Sequence, residues 1–207
     1  FKYMKSISLD FWGTLCVSNP RFRENQFKLL RQFDDSITFD YWINQKIYYK
    51  KLADAQAEHR GSHMDRLAIN KHIFPHWNTK DIEEFMLLSD DLFVKYPPVN
   101  HLPSSFIEEA RQAGYLIYVS SNTVFTSGSA LSRVIFDKFA IPKSHCKFSD
   151  EVGKAKIDAS MFDFEIKPTF HIGDNPKTDG ASERYGIKFL DVTKLSLSQL
   201  IDVITHD

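Results

Sequence analysis

Cysteine is scarce. Cys16 and Cys146 are the only two in 207 residues, and they fit no CxxC spacing. That excludes a disulfide scaffold and a cysteine-built zinc or redox centre. Both are expected as free thiols in a reducing cytoplasm. An excess of either charge is also missing: 26 Lys and Arg against 27 Asp and Glu give a formal net charge of −1. No basic face for nucleic acid and no polybasic tract for an anionic membrane is expected from that balance. No apolar run reaches the roughly 20 residues that span a bilayer, and Phe1 to Lys5 lack the apolar stretch of a signal peptide. Histidine pairs fail as metal ligands. Gly61 interrupts the helix that would join His59 to His63, and Pro75 separates His72 from His76. Internal repeats and low-complexity tracts are absent, and nothing in the sequence fixes an oligomeric state. Residues Gly61-Ser62-His63-Met64 look like the scar of a cleaved tag, but they lie mid-chain and are read as ordinary sequence.

Phenylalanine, by contrast, is abundant at 18 residues, which predicts an aromatic core. The length suits one large domain or a core with a modest insert. The stretch from Met4 to Asp10 is apolar at alternate places (Ile7, Leu9) and leads to a Gly-Thr turn, the pattern of a buried strand that delivers an acid at its end. From Arg21 to Tyr96 the apolar residues recur at helical spacing and predict four helices with few or no strands. Asn78-Thr79 caps the last, and Tyr96-Pro97-Pro98 ends it. After Pro103, strands and helices alternate. Helices are expected over 104–113, 129–139, from 158 and over 178–185 and 196–204; strands over 115–120, 146–148, 169–172 and 188–192. This rhythm predicts an α/β fold, a Rossmann-like parallel sheet with helices on both faces. Residues 1–18 with 99–207 form the core, and 19–98 form a small all-helical cap. Ligands of such sheets sit at the carboxyl ends of the strands.

Four features fall at those ends: Asp10-Phe11-Trp12-Gly13-Thr14-Leu15, Ser121-Asn122, Lys154 or Lys156, and Gly173-Asp174-Asn175-Pro176-Lys177-Thr178-Asp179. In this order they resemble the four motifs of the haloacid dehalogenase superfamily, over nearly the whole chain. The resemblance implies a hydrolase with Asp10 as nucleophile and Mg²⁺ as cofactor. Its ligands would be Asp10, the Trp12 main-chain carbonyl and Asp174, with Asp179 acting behind them or through water. The physical logic is sound: a carboxylate attacking phosphorus meets another anion, and a hard divalent cation with oxygen ligands removes that repulsion. Ser121 would donate to a phosphoryl oxygen. A lysine would offset the remaining charge, and register favours Lys156 over Lys154, although the proline that usually follows is replaced by Ile157. Trp12, Gly13, Thr14 and Asn122 would contact substrate, the Thr14 hydroxyl also holding the turn.

One departure matters. Phosphatases of this superfamily carry a second Asp two residues after the nucleophile, and here that place is Trp12. Indole exchanges no useful proton, and general acid–base help is commonly worth about 10² to 10⁴ in rate. The expectation is a Mg²⁺-dependent hydrolase of a small phosphorylated metabolite, biased toward good leaving groups. The rival readings are a weakly active ligand- or partner-binding protein and a metal-free dehalogenase, whose last motif lacks the acidic form retained here. Arg21, Arg23, Tyr48 and Tyr49 are candidate cap contacts.

Overall fold

Residues 5–207 are described by the computed structural model. Strand β1 (Lys5–Leu9) lies at the centre of a five-stranded parallel sheet. It is flanked on one side by β4 (Tyr115–Ser121) and then β5 (Cys146–Phe148), and on the other by β6 (Pro168–Gly173) and then β7 (Lys188–Asp191). The order reverses at β1, so the carboxyl ends of β1, β4 and β6 meet at a crevice.

The two faces of the sheet differ in chemistry. Ile7, Leu9, Ile117, Val119, Phe170 and Ile172 join the main core with Phe106, Ile107, Leu131 and Leu200. These come from helices α5 (Ser104–Gln112), α6 (Gly128–Phe139) and α8 (Leu197–Thr205). Ser6, Ser8, Ser120 and His171 occupy the alternate positions and are fully buried. Each is hydrogen-bonded: Ser6 to the Ile166 carbonyl, Ser120 to the Met161 carbonyl, and Ser8 to His171. The alternation in β1 therefore separates an apolar face from a satisfied polar one, since buried polar groups are costly only when unpaired.

The second face is covered more thinly than expected. The helices predicted from 158 and over 178–185 are short 3₁₀ segments, Ala159–Met161 and Asp179–Tyr185. Tight winding suits the second: a Cβ on Gly173 would sit 2.2 Å from Asp179 Cγ, so Asp179 is pressed against the strand end.

Between β2 (Cys16–Val17) and β3 (Val99–Asn100), an antiparallel pair that the sequence did not suggest, run four helices. They are α1 (Pro20–Phe33), α2 (Phe39–Arg60), α3 (Arg66–Ile73) and α4 (Thr79–Lys95). Asn78 caps α4 by accepting from Asp81 N–H, as its position predicts. Leu30, Trp42, Ile69, Ile73, Phe74 and Phe85 form a core of their own. The Gly61 stretch is an integral contact with the sheet domain. The Gly61 carbonyl accepts from Ala155 N–H at 2.8 Å, and His63 Nδ1 lies 3.0 Å from Ser149 Oγ. Both cysteines are free thiols, and no described helix is long and apolar enough to cross a membrane.

Candidate active site

The Asp10 N–H extends the sheet ladder to the Ile172 carbonyl at 2.9 Å, which places Asp10 one residue beyond β1 and next to the end of β6. Asp174 follows Gly173 there. Gly13, with φ +74, turns the chain back, and a Cβ on it would lie 2.2 Å from Asp174 Oδ2. Only glycine permits that approach. Asp10, Asp174 and Asp179 each offer an oxygen, all within 4.8 Å of one another.

Among the described residues, one ammonium lies at hydrogen-bond distance from two of these carboxylates, Asp10 and Asp179. Lys156, following the short helix α7 (Ser149–Val152), is buried and lies 2.6 Å from Asp10 Oδ1 and 2.7 Å from Asp179 Oδ1. Burial lowers the Lys156 pKa, but Asp10 and Asp179 outweigh burial and raise it above the ordinary lysine value. Burial, helped by the Asp179 charge, pushes the Asp10 carboxyl well above the usual carboxylate range, against the pull of Lys156. Asp179 is pushed the same way by burial, yet Lys156 and His171 bring it below the ordinary range. The cluster is thus short of positive charge. An all-oxygen set short of positive charge fits a hard divalent cation such as Mg²⁺. The Trp12 carbonyl accepts no hydrogen bond among the described residues.

Asp179 is backed by a buried chain that the sequence reading missed. Its Oδ1 accepts from Lys156 and from His171 Nε2 at 2.7 Å, and its Oδ2 accepts from Asn175 N–H at 3.2 Å. Burial lowers the His171 pKa despite Asp179, so the ring is neutral. With Nε2–H donating, Nδ1 accepts from the Ser8 hydroxyl at 2.7 Å. With three hydrogen bonds already accepted, Asp179 suits a supporting position behind Asp10 and Asp174. A polar residue at a buried strand position was the available signal for His171.

Ser121 is buried at the end of β4, its hydroxyl 3.1 Å from the Asn122 carbonyl. The Asn122 side-chain oxygen accepts from Lys156 N–H at 2.8 Å, so this residue locks the lysine loop. Lys154 is exposed and its backbone bridges to that of Ser62, whereas the Lys156 side chain lies beside Asp10. Ile157 adopts φ 100, a value closed to proline. Thr14 is a correction. It is fully buried, its hydroxyl has no partner among the described residues, and it does not line the cleft. The turn is held by the Phe11 carbonyl, which accepts from Thr14, Leu15 and Cys16 N–H.

Above the site opens a cleft of about 590 Å³, lined by residues of the sheet's strand ends and of the helical insert. Trp12 forms part of its floor, edge-on to Phe11 at 4.8 Å and to Phe93 at 5.9 Å. The cap contacts expected from sequence are not these walls: Arg21, Arg23, Tyr48 and Tyr49 lie elsewhere. Instead α1 presents Phe22 and Gln26, and α2 presents Lys46, Lys50, Asp54 and Ala57, spaced four, four and three apart on one stripe. Helical phase, set by burying Trp42 and Ala53, turns the tyrosines away. Lys50 is ion-paired to Asp54 at 2.7 Å. At the far end of α2, Glu58 accepts from Asn175 Nδ2 at 3.4 Å.

No protein-family model matches the chain, and no curated protein matches it. Solved structures do match. One is YfnB from Bacillus subtilis, described as a HAD-hydrolase bound to magnesium. It is 16% identical with a TM-score of 0.66, over 98% of this chain and 99% of that one. The chain has the haloacid dehalogenase fold. A dehalogenase with an intermediate complex matches at 12% identity and TM-score 0.59, over 99% of both chains. CbbY from Rhodobacter sphaeroides, complexed with xylulose-(1,5)bisphosphate, matches at 13% and 0.58, over 90% of this chain and 84% of that one. At such identities the haloacid dehalogenase likeness is one of fold.

Proposed function

We propose that the chain is a Mg²⁺-dependent hydrolase that transfers the phosphoryl group of a small phosphorylated metabolite to Asp10 and then to water. The observation that carries this reading is the set of three carboxylates within 4.8 Å, against which Lys156, paired to Asp10 and Asp179, is the one ammonium at hydrogen-bond distance among the described residues. A carbon-attacking dehalogenase has no use for that excess of acid. Bound Mg²⁺ would supply charge neutralisation for two anions that must meet. Asp10, Asp174 and the Trp12 carbonyl would hold it.

The chain's own residues do the rest. Lys156 orients the Asp10 carboxylate by hydrogen bond and offsets charge on the phosphoryl oxygens. Ser121 turns its hydroxyl to one of those oxygens. An Asp10 oxygen bonds phosphorus as the ester oxygen departs with the bonding pair, leaving an acyl phosphate that water then cleaves. Trp12 stands where a proton donor would help the departing oxygen, and its packing against Phe11 and Phe93 leaves no acid there. Departing groups stable as anions are therefore favoured.

Assays of phenyl and alkyl phosphates with Mg²⁺ and with EDTA test this. Metal-dependent turnover that is faster for the aryl ester supports it. Equal rates, or rates unaffected by EDTA, contradict it. The substitution at Trp12 also favours a second reading, a binding protein of low turnover. Thermal stabilisation by phosphate ligands without product release would select that one.

A further inference from the structure

The cap side of the cleft holds a cation without a counter-ion. Lys46 lines the same cleft as Asp10. Its one hydrogen bond among the described residues is a long one, 3.5 Å to the side-chain oxygen of buried Gln26. Its ammonium lies 4.6 Å from the Trp42 ring centre and 5.2 Å from that of Phe125. No described carboxylate pairs with it. Arg66 nearby is neutralised by Asp90 at 3.0 Å, and Lys50, one turn along the same stripe, by Asp54. Burial and the charges of Arg23 and Arg66 lower the Lys46 pKa to about 8, so it remains mostly protonated at neutral pH. Cation–π contacts recover part of the cost of withdrawing an ammonium from water, but an anion recovers more.

The cleft that Lys46 shares with Asp10 is also lined by Trp12, Phe22, Phe93, Val124 and Phe125. We propose that Lys46, steadied by Gln26, binds a second anionic group of the substrate. The protein would then act on phosphorylated molecules with an apolar or aromatic middle and a carboxylate or second phosphoryl group at the far end. This rests on the hydrolase reading for the reacting end, and the binding experiment below separates the two.

Binding is measured calorimetrically with Mg²⁺ for three inert probes: phenylphosphonate, 4-carboxyphenylphosphonate and 1,4-phenylenebisphosphonate. The matching phosphate esters are assayed for turnover. At least one two-anion probe should bind about tenfold more tightly than phenylphosphonate, equivalent to one charge-assisted contact. The matching ester should show the same preference in KM, and the stronger probe names the anion. Lys46→Met should abolish the preference and Lys46→Arg should retain it. Equal affinities in the unmodified protein, a preference surviving in Lys46→Met, or its loss in Lys50→Met instead would overturn the proposal. A preference in binding without turnover would sink the hydrolase reading alone. Turnover without a preference would sink this one alone.

Discussion

Lys156 Nζ lies 2.6 Å from one Asp10 oxygen and 2.7 Å from one Asp179 oxygen, so a single ammonium ties the acid after β1 to the acid after β6. All three groups are buried, and what they can do depends on how charge is divided among them.

Removing that ammonium leaves buried acids uncompensated. Lys156→Met is expected to lower stability by on the order of 3 kcal/mol and turnover by about 10² or more. Added Mg²⁺ should recover part of the stability. Urea unfolding with and without metal reads both effects, and an unchanged midpoint would show that the lysine is not structural.

Ile157 sits at φ 100 beside this lysine. Ile157→Pro, although it restores the family's usual Lys-Pro pair, forces φ toward about −65° and should cost about 2 kcal/mol or more. Ile157→Gly should cost less, because glycine accepts the conformation while losing only the side-chain packing. Comparing the two unfolding free energies is the check.

Trp12→Asp places a proton donor next to Asp10. Alkyl phosphate turnover should rise by about 10² relative to aryl turnover. Stability should fall, because the contacts with Phe11 and Phe93 are lost. An unchanged aryl-to-alkyl ratio would remove Trp12 from the explanation of leaving-group bias.

Lys46 gives a pH signature. Its folded pKa, about 8, lies below the ordinary lysine value of 10.5, so the unfolded chain binds the extra proton and stability rises with pH across that window. Lys46→Met removes the penalty. The variant should be more stable at pH 7 by on the order of 1 to 3 kcal/mol. The difference should shrink as pH climbs from 8 past 10. A gap independent of pH would argue against a strained ammonium. In the folded protein, Arg23, Arg66, Lys50 and Asp54 are the charged groups to control for.

The parallel sheet, the helical insert and the positions of Asp10 and Asp174 just beyond strands were legible because each rests on local pattern: alternation, helical spacing, acids at strand ends. Ser121 and Lys156 were reached through the resemblance of the ordered motifs. What escaped depends on distant pairing. Ser8 meets His171 across 163 positions of sequence, and no local rule links them. The cleft stripe of Lys46, Lys50 and Asp54 depends on the rotation of α2, which buries Trp42 and Ala53. Thr14 misled because a hydroxyl beside a turn usually serves it, whereas here the Phe11 carbonyl takes all three N–H groups. The 3₁₀ winding over Asp179–Tyr185 follows from pressing Asp179 onto Gly173, a contact visible only in three dimensions.

Mass spectrometry of acid-quenched protein after brief exposure to an aryl phosphate tests the central claim most directly. With Mg²⁺ present, a phosphoryl adduct should be found on Asp10. It should accumulate because Trp12 cannot activate water, and it should be absent with EDTA and in Asp10→Asn. Phenol release without an adduct on Asp10, or an adduct that forms equally well in EDTA, would contradict the account.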